Sequence, residues 1–150
     1  MTTIFIWAPL IFLAGLAAGR LLFSDSRPRE PLKFHVTARG WDANQIAGLF
    51  ASVVVRKAPS LIPKVILETD KTLVFEHPRP KFKTHYLFVP KKDIRNIGDL
   101  NIEDKDYLCD LFATLTTVIQ SRHLTDYRLW TNGPGKQDVA YLHFHLGADS

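Results

Sequence analysis

Cysteine is nearly absent: Cys109 stands alone in a chain of 150 residues. A lone cysteine cannot close an intramolecular disulfide, so no disulfide scaffold holds the fold and a reducing compartment is permitted. Charge of one sign is also sparse. The formal net charge is +4, and the 19 Lys and Arg residues form no long block. That balance suits a phosphate-bearing small molecule or an anionic surface as well as nucleic acid. There is no zinc-finger spacing and no tract interleaving basic with aromatic residues, so no nucleic-acid partner is expected. Internal repeats and low-complexity tracts are missing too. What is present, 46% hydrophobic and 23% charged residues, is ordinary for a packed core. With the N-terminal segment set aside, the length admits one compact domain.

Thr3 to Phe23, TIFIWAPLIFLAGLAAGRLLF, lacks charge except at Arg20. A helix of about 20 apolar residues spans a bilayer core. Arg20 near one end can snorkel, and Trp7 near the other fits an interfacial aromatic. No Lys or Arg precedes the run, whereas Arg20, Arg27, Arg29, Lys33 and Arg39 lie in it or after it. The positive-inside tendency places the side after the helix in the cytoplasm. The expectation is a single-pass transmembrane anchor over residues 1–23, an exposed, proline-containing linker over 24–33 and a cytoplasmic globular domain over 34–150. The competing reading is a signal peptide cleaved near Ala17 or Gly19, which the missing positive n-region disfavours.

Within the domain, Phe34 to Ala38 reads as a short strand or extended arm. Asp42 is a plausible N-cap for a helix whose apolar face carries Ile46, Leu49, Phe50, Val53 and Val54, and which Pro59 ends. Strands are expected over Val65–Glu68, Thr72–Phe75, Thr84–Val89, Tyr127–Thr131 and Asp138–Leu146, the first pair forming a hairpin. Asn101, with Asp104 in a capping-box-like position, opens a long helix striped by Tyr107, Leu108, Leu111, Phe112, Leu115, Val118 and Ile119. The order implies an α+β architecture: an antiparallel sheet of five strands and two main helices, with the helices on one side.

The last expected strand reads YLHFHL. Side chains alternate faces with period two, so Tyr141, His143 and His145 share one face while Leu142, Phe144 and Leu146 can enter the core. His85, at the head of another strand, can face the same site. Neutral imidazole is a competent nucleophile near neutral pH. A carbonyl that accepts the proton of one ring nitrogen leaves the other lone pair free to attack phosphorus, and neighbouring donors can take up the developing charge. Against this stand blander readings. A strand histidine is usually a satisfied polar residue, the Gly133-Pro134-Gly135 loop can be a plain turn, and His143, His145 and His85 could supply metal ligands. No Cys or carboxylate has a matching spacing, so no metal or cofactor is expected.

The run IPKVILETDKTLVFEHPRPKFKTHYLFVPKKDIRNIGDLNIEDKDYL, followed by YRLWTNGPGKQDVAYLHFHL, resembles the histidine-triad (HIT) family over residues 60–146. The matches are Ile62-Pro63, the Glu68-Thr69-Asp70 turn, Thr84-His85 running into Val89-Pro90-Lys91-Lys92, Tyr127-Arg128-Leu129, Asn132, Gln137 and the terminal His-x-His. The resemblance implies that His143 is the nucleophile, that His145 is the third triad histidine and catalytic with it, that His85 faces the phosphate, and that Asn132 lies on the ribose and phosphate side. It puts Gln137 in the loop before the triad and matches Leu49, Phe50, Val53 and Phe75 to the apolar positions flanking the nucleobase. It further implies a homodimer with a continuous sheet, purine mononucleotide ligands and attack on the α-phosphate through a nucleotidyl-histidine intermediate, without a metal. The chain departs from the family at Tyr141, which replaces the first triad histidine, and at His77, where an aspartate usually holds the ribose. Asp138 replaces a small hydroxyl residue near the leaving group and can act as a general acid or repel phosphate. The 133–136 loop is shorter than in close relatives.

Two functions of different class follow. One is a membrane-anchored nucleotide hydrolase or transferase acting on phosphoramidates or dinucleoside polyphosphates, supported by His143, His145, His85 and Asn132 together. The other is a catalytically impaired nucleotide-binding or scaffold module at the membrane, supported by Tyr141, His77 and the short loop.

Overall fold

The structure is a computed structural model that describes the backbone of residues 3–29, 32–35, 38–41 and 43–149 and the side chains of 9–29 and 43–149. The expected cap at Asp42 lies outside the described residues. The chain begins with helix α1 (Thr3–Phe23), which has Pro9 inside it. Among the described residues, no helix is long and apolar enough to cross a membrane. The expected anchor over 1–23, with its membrane localisation and cytoplasmic orientation, is corrected accordingly.

The polar stretch after α1 is not the free linker its composition suggests. The Arg27 guanidinium forks onto Asp104 at 2.6 and 2.7 Å and also donates to the Asp99 carbonyl at 2.7 Å, while its backbone N–H donates to Asp93 at 2.8 Å. Arg29 pairs with Asp93, and Arg56 donates to the Asp25 carbonyl and to Ser26 Oγ at 3.1 and 2.9 Å. Arginine forks on carboxylates and carbonyls strap this segment to the domain.

Beyond the strap, β1 (Leu32–His35) and β2 (Ala38–Trp41) form a separate two-stranded antiparallel sheet, where the sequence suggested a single strand or arm. Helix α2 (Ala43–Lys57) follows. Next come β3 (Val65–Glu68), β4 (Thr72–Glu76) and β5 (Thr84–Pro90), then helix α3 (Lys105–Ser121), β6 (Tyr127–Trp130) and β7 (Phe144–Ala148). These strands form one five-stranded antiparallel sheet in the order β3-β4-β5-β7-β6. The Asn101–Asp104 capping box is present on a 3-10 turn that leads into α3. Two orphan backbone donors are thereby satisfied at the start of the helix.

The two main helices lie on opposite faces of the sheet, not on one. Alternate residues of the central strands are apolar on both sides. Val74, Tyr86, Phe88, Phe144 and Leu146 pack with Leu111, Leu115 and Val118 of α3, whereas Leu73, Leu87 and Val89 pack with Val55 of α2 and with Tyr141. The α2 face also differs from the expected stripe. Its buried residues are Gly48, Ser52 and Val55, while Phe50 is 59% exposed. The small side chains at 48 and 52 let the helix approach closely, which hydrophobicity alone does not signal.

Strand β7 starts at Phe144 rather than Asp138. Upstream, the backbone spends its donors elsewhere: Ala140 N–H on the Asn44 carbonyl at 3.1 Å, Leu142 N–H on the Ile94 carbonyl at 2.6 Å. Leu142 and Leu146, both fully buried, anchor this segment in the α3-side core. Truncating either to alanine would cost about 2–5 kcal/mol.

Candidate active site

The face alternation expected for residues 141–146 holds despite the later strand start. Tyr141, His143 and His145 line a cavity of about 290 Å³ on the α2 side of the sheet, with Ala51, Val55, Phe75, Leu87, Val89 and Val139 as its apolar part. His77, Pro78, Arg79, Asn132 and Asp138 complete the lining. The sheet register brings the histidines together. His145 lies opposite Leu87 of β5 and Trp130 of β6, and His85 lies opposite Gly147. A Cβ at Gly147 would sit 2.6 Å from the Phe82 ring, which packs edge-on against His85 with centroids 5.6 Å apart. Glycine there leaves Phe82 the room to close the back of the site.

The hydrogen bonds determine which ring nitrogens carry protons. His143 Nδ1 lies 2.7 Å from the Tyr141 carbonyl. A carbonyl only accepts, so Nδ1 bears the proton and Nε2 keeps its lone pair. Thr131 Oγ1 donates to the His143 carbonyl at 2.8 Å and steadies the backbone. Behind it runs a relay. The Lys81 N–H donates to His85 Nδ1 at 3.2 Å, so His85 Nε2 bears hydrogen and donates to His145 Nδ1, also at 3.2 Å. His145 Nε2 is then the protonated nitrogen. It is buried and has no hydrogen-bond partner among the described residues, so it is a donor held ready for a ligand oxygen.

Ring stacking locks these orientations. His145 lies flat on Trp130, with centroids 4.8 Å apart and planes at 4°, and His77 lies flat on His85 at 4.2 Å and 6°. Burial, the largest cause, lowers the basicity of all four imidazoles: His85 to about 4, His145 to about 3, and His77 and His143 below the usual histidine value. For His143 the Tyr141 bond and the charge of Asp138 work in the opposite direction. At neutral pH the cluster is uncharged, with one nucleophilic nitrogen and one orphan donor.

A ligand set for a metal is present in number but not in chemistry. His77, His85 and His145 bring ring nitrogens within 4.8 Å of one another. His77 Nδ1, however, accepts the Arg79 N–H at 3.0 Å, and His85 Nδ1 accepts that of Lys81. Each therefore presents an N–H at Nε2, not a lone pair. The trio is arranged to donate hydrogen bonds rather than to coordinate.

Of the expected ligand-binding residues, Asn132, Asp138, Tyr141, His77 and Phe75 reach the cavity. The Tyr141 hydroxyl donates to the Pro90 carbonyl at 2.5 Å, so this ring is a wall of the cavity rather than a polar contact. Burial pushes its phenol pKa far above the usual value. His77 presents a donor to a ligand, where an aspartate would present only acceptors. Gln137 is outside the cavity: its amide donates to the Arg95 carbonyl at 3.2 Å, and it ties down the loop instead. Leu49, Phe50 and Val53 do not line the cavity either. Ala51 and Val55 do so from the same helix, because the helix is rotated relative to its most hydrophobic stripe. Arg79 and Trp130 were missed. A cation and an aromatic in a loop and an edge strand carry no signal until the strands are paired.

Residues 50–150 match the family described as scavenger mRNA decapping enzyme C-term binding. A HIT family hydrolase from Legionella pneumophila Philadelphia 1 is 33% identical and superposes with a TM-score of 0.58, over 64% of this chain and 90% of that one. The chain belongs to the histidine-triad family. Among its curated HIT relatives, an uncharacterized HIT-like protein of Buchnera aphidicola is 26% identical over 102 residues, covering 65% of this chain and 87% of the relative. The adenosine 5'-monophosphoramidase HINT3 of Mus musculus is 29% identical over 100 residues, 63% of this chain and 61% of the relative.

Proposed function

We propose that this HIT protein is a nucleotide hydrolase that cleaves the P–N bond of adenosine 5'-phosphoramidates through His143. The observation that carries the reading is the bond from His143 Nδ1–H to the Tyr141 carbonyl, which leaves Nε2 unprotonated at the wall of the cavity. The apolar lining from Ala51 to Val139 takes the nucleobase, and the phosphate lies between His143 and His145. His143 Nε2 attacks the α-phosphorus, the P–N bond breaks, and the amine leaves after taking up a proton from solvent water. Charge on the phosphate oxygens is met by His145 Nε2–H. Donors of this kind each contribute about 2.7–4 kcal/mol to such steps. The intermediate is a cationic nucleotidyl-imidazole, stabilised by the Tyr141 carbonyl and by the carboxylate of Asp138. Water then attacks phosphorus and gives up one proton to solvent, the bond from phosphorus to His143 Nε2 breaks, and the nucleoside monophosphate leaves with His143 restored to its neutral form.

Asp138 bears on substrate choice. Its charge is felt by His143, whereas that of Arg79 is felt by His77. A carboxylate lining the same cavity as His143 favours an amine leaving group over the polyanionic one of a dinucleoside polyphosphate. The domain reading over 34–150, the purine preference and the homodimer belong to the same proposal. The dimer is supported by the terminal position of β6 in the sheet, where Tyr127 and Leu129 are 42% and 37% exposed.

The test is turnover of adenosine 5'-phosphoramidate by the full chain. His143→Ala is expected to lower kcat roughly 10⁴-fold or more while nucleotide affinity stays within a few fold. Unchanged turnover in that variant would remove His143 as nucleophile. A wild-type protein that binds AMP without hydrolysing the phosphoramidate would overturn the enzyme reading.

A further inference from the structure

The irregular segment that carries the Tyr141 carbonyl is gripped from outside the sheet. Arg29 precedes β1, yet its side chain is only 4% exposed. One nitrogen of its fork donates to the Ala140 carbonyl at 2.7 Å, and the other pairs with the fully buried Asp93. The residue after Asp93, Ile94, accepts the Leu142 N–H at 2.6 Å. Both peptides flanking Tyr141 are thus tied to the same short loop, one of them through Arg29.

We infer that Arg29 is a positioning residue for His143: it clamps the Ala140 carbonyl to Asp93 and so fixes the Tyr141 carbonyl that holds the His143 Nδ1 proton. This rests on the reading of His143 as nucleophile. A guanidinium suits the task because its planar fork donates in two set directions at once, which the point charge of lysine does not. Displacing a reacting group by about 1 Å costs on the order of 10²-fold in rate. Arg27 provides the contrast. Its side chain also binds the domain, but through Asp104 and the Asp99 carbonyl rather than through a carbonyl of the 137–142 segment.

The experiment compares Arg29→Met, Arg29→Lys and Arg27→Met in the full chain. The readouts are kcat and KM for adenosine 5'-phosphoramidate and the ¹⁵N imidazole resonances of His143, which report its tautomer without any turnover. Arg29→Met is expected to lower kcat about 10–100-fold with KM within about threefold, and to replace the single Nδ1–H form of His143 by a tautomer mixture. Arg29→Lys keeps the counter-charge of Asp93 and so keeps the fold. It is expected to show both changes to a lesser degree and decides the matter alone if Arg29→Met does not fold. Arg27→Met is expected to retain wild-type kcat and the Nδ1–H form. Wild-type His143 resonances in the Arg29 variants, or an equal kcat loss in Arg27→Met, would overturn the inference. If the wild-type chain turns over no phosphoramidate, the proposed function fails while the His143 resonances still decide the role of Arg29.

Discussion

Replacing Gly48 by alanine reverses the usual effect of that substitution in a helix. An interior Gly→Ala change ordinarily stabilises by about 1 kcal/mol. Here the added carbon would lie 2.3 Å from the Ala140 carbonyl oxygen, 2.7 Å from its carbon and 3.0 Å from Arg29 Nη1. The obstructing group is backbone, and it is held on two sides. Arg29 grips the Ala140 carbonyl, and the Ala140 N–H is bonded to Asn44 of α2 itself. Overpacking costs about 1–3 kcal/mol, and a pinned peptide belongs at the upper end, so about 2 kcal/mol of net destabilisation remains after the helix-propensity gain. At ~2–4 °C per kcal/mol, Tm falls by roughly 4–8 °C. Denaturant unfolding and calorimetry measure this directly. The same clash displaces the peptide next to Tyr141, so kcat is expected to fall as well. A Gly48→Ala protein at least as stable as wild type would refute the close approach of α2 to this loop.

His145→Ala removes the orphan donor and is expected to lower kcat by about 10²–10³-fold with little change in nucleotide affinity, which steady-state kinetics and AMP binding check; an unchanged kcat would mean that His145 does not face the reacting phosphate. Protonated His143 has no lone pair, and its pKa is lowered chiefly by burial, so the acid limb of the kcat profile lies below the usual histidine range; a limb above pH 7 would contradict this. His85 and His145 bind protons far less readily folded, near 4 and 3, than unfolded. Their contribution to stability is complete above about pH 6.5 and is lost as pH falls from there toward 3, so a His85→Asn variant is expected to show a flatter dependence of Tm on pH in this window. Burial raises the Asp104 pKa, but hydrogen bonds from Arg27, Lys92 and the Asn101 backbone outweigh it and lower the net value. Asp104→Ala strands those donors and is expected to cost about 3 kcal/mol, which denaturant unfolding measures.

The histidine pair illustrates what was legible beforehand. Alternation along 141–146 separates the cavity face from the core face, and this survives even though the first residues are not in a strand, because Leu142, Phe144 and Leu146 need burial wherever the hydrogen bonds go. The capping box at Asn101, the α3 stripe and the five strands were likewise local, since propensity and period act over a few residues. Other features were not legible, among them three at the site and the N-terminus. The apolar stripe of α2 marked the wrong face, because close approach at Gly48 decided its rotation. Gln137 left the cavity because a loop carbonyl at Arg95 captured its amide. The N-terminal segment read as anchor and linker, yet Arg27 and Arg29 find Asp104 and Asp93 more than sixty residues away.

The sequence by itself determined the main helices and the approximate places of the five sheet strands and the faces of residues 141–146, which depend on neighbours a few residues apart, and the order of motifs over 60–146 pointed to the family. The tertiary structure alone decided the protonation pattern of the histidines. That pattern depends on which carbonyl or N–H each ring nitrogen meets, and the Tyr141 carbonyl, the Lys81 N–H and the His145 ring take up those positions only once the strands are paired and the strap is closed.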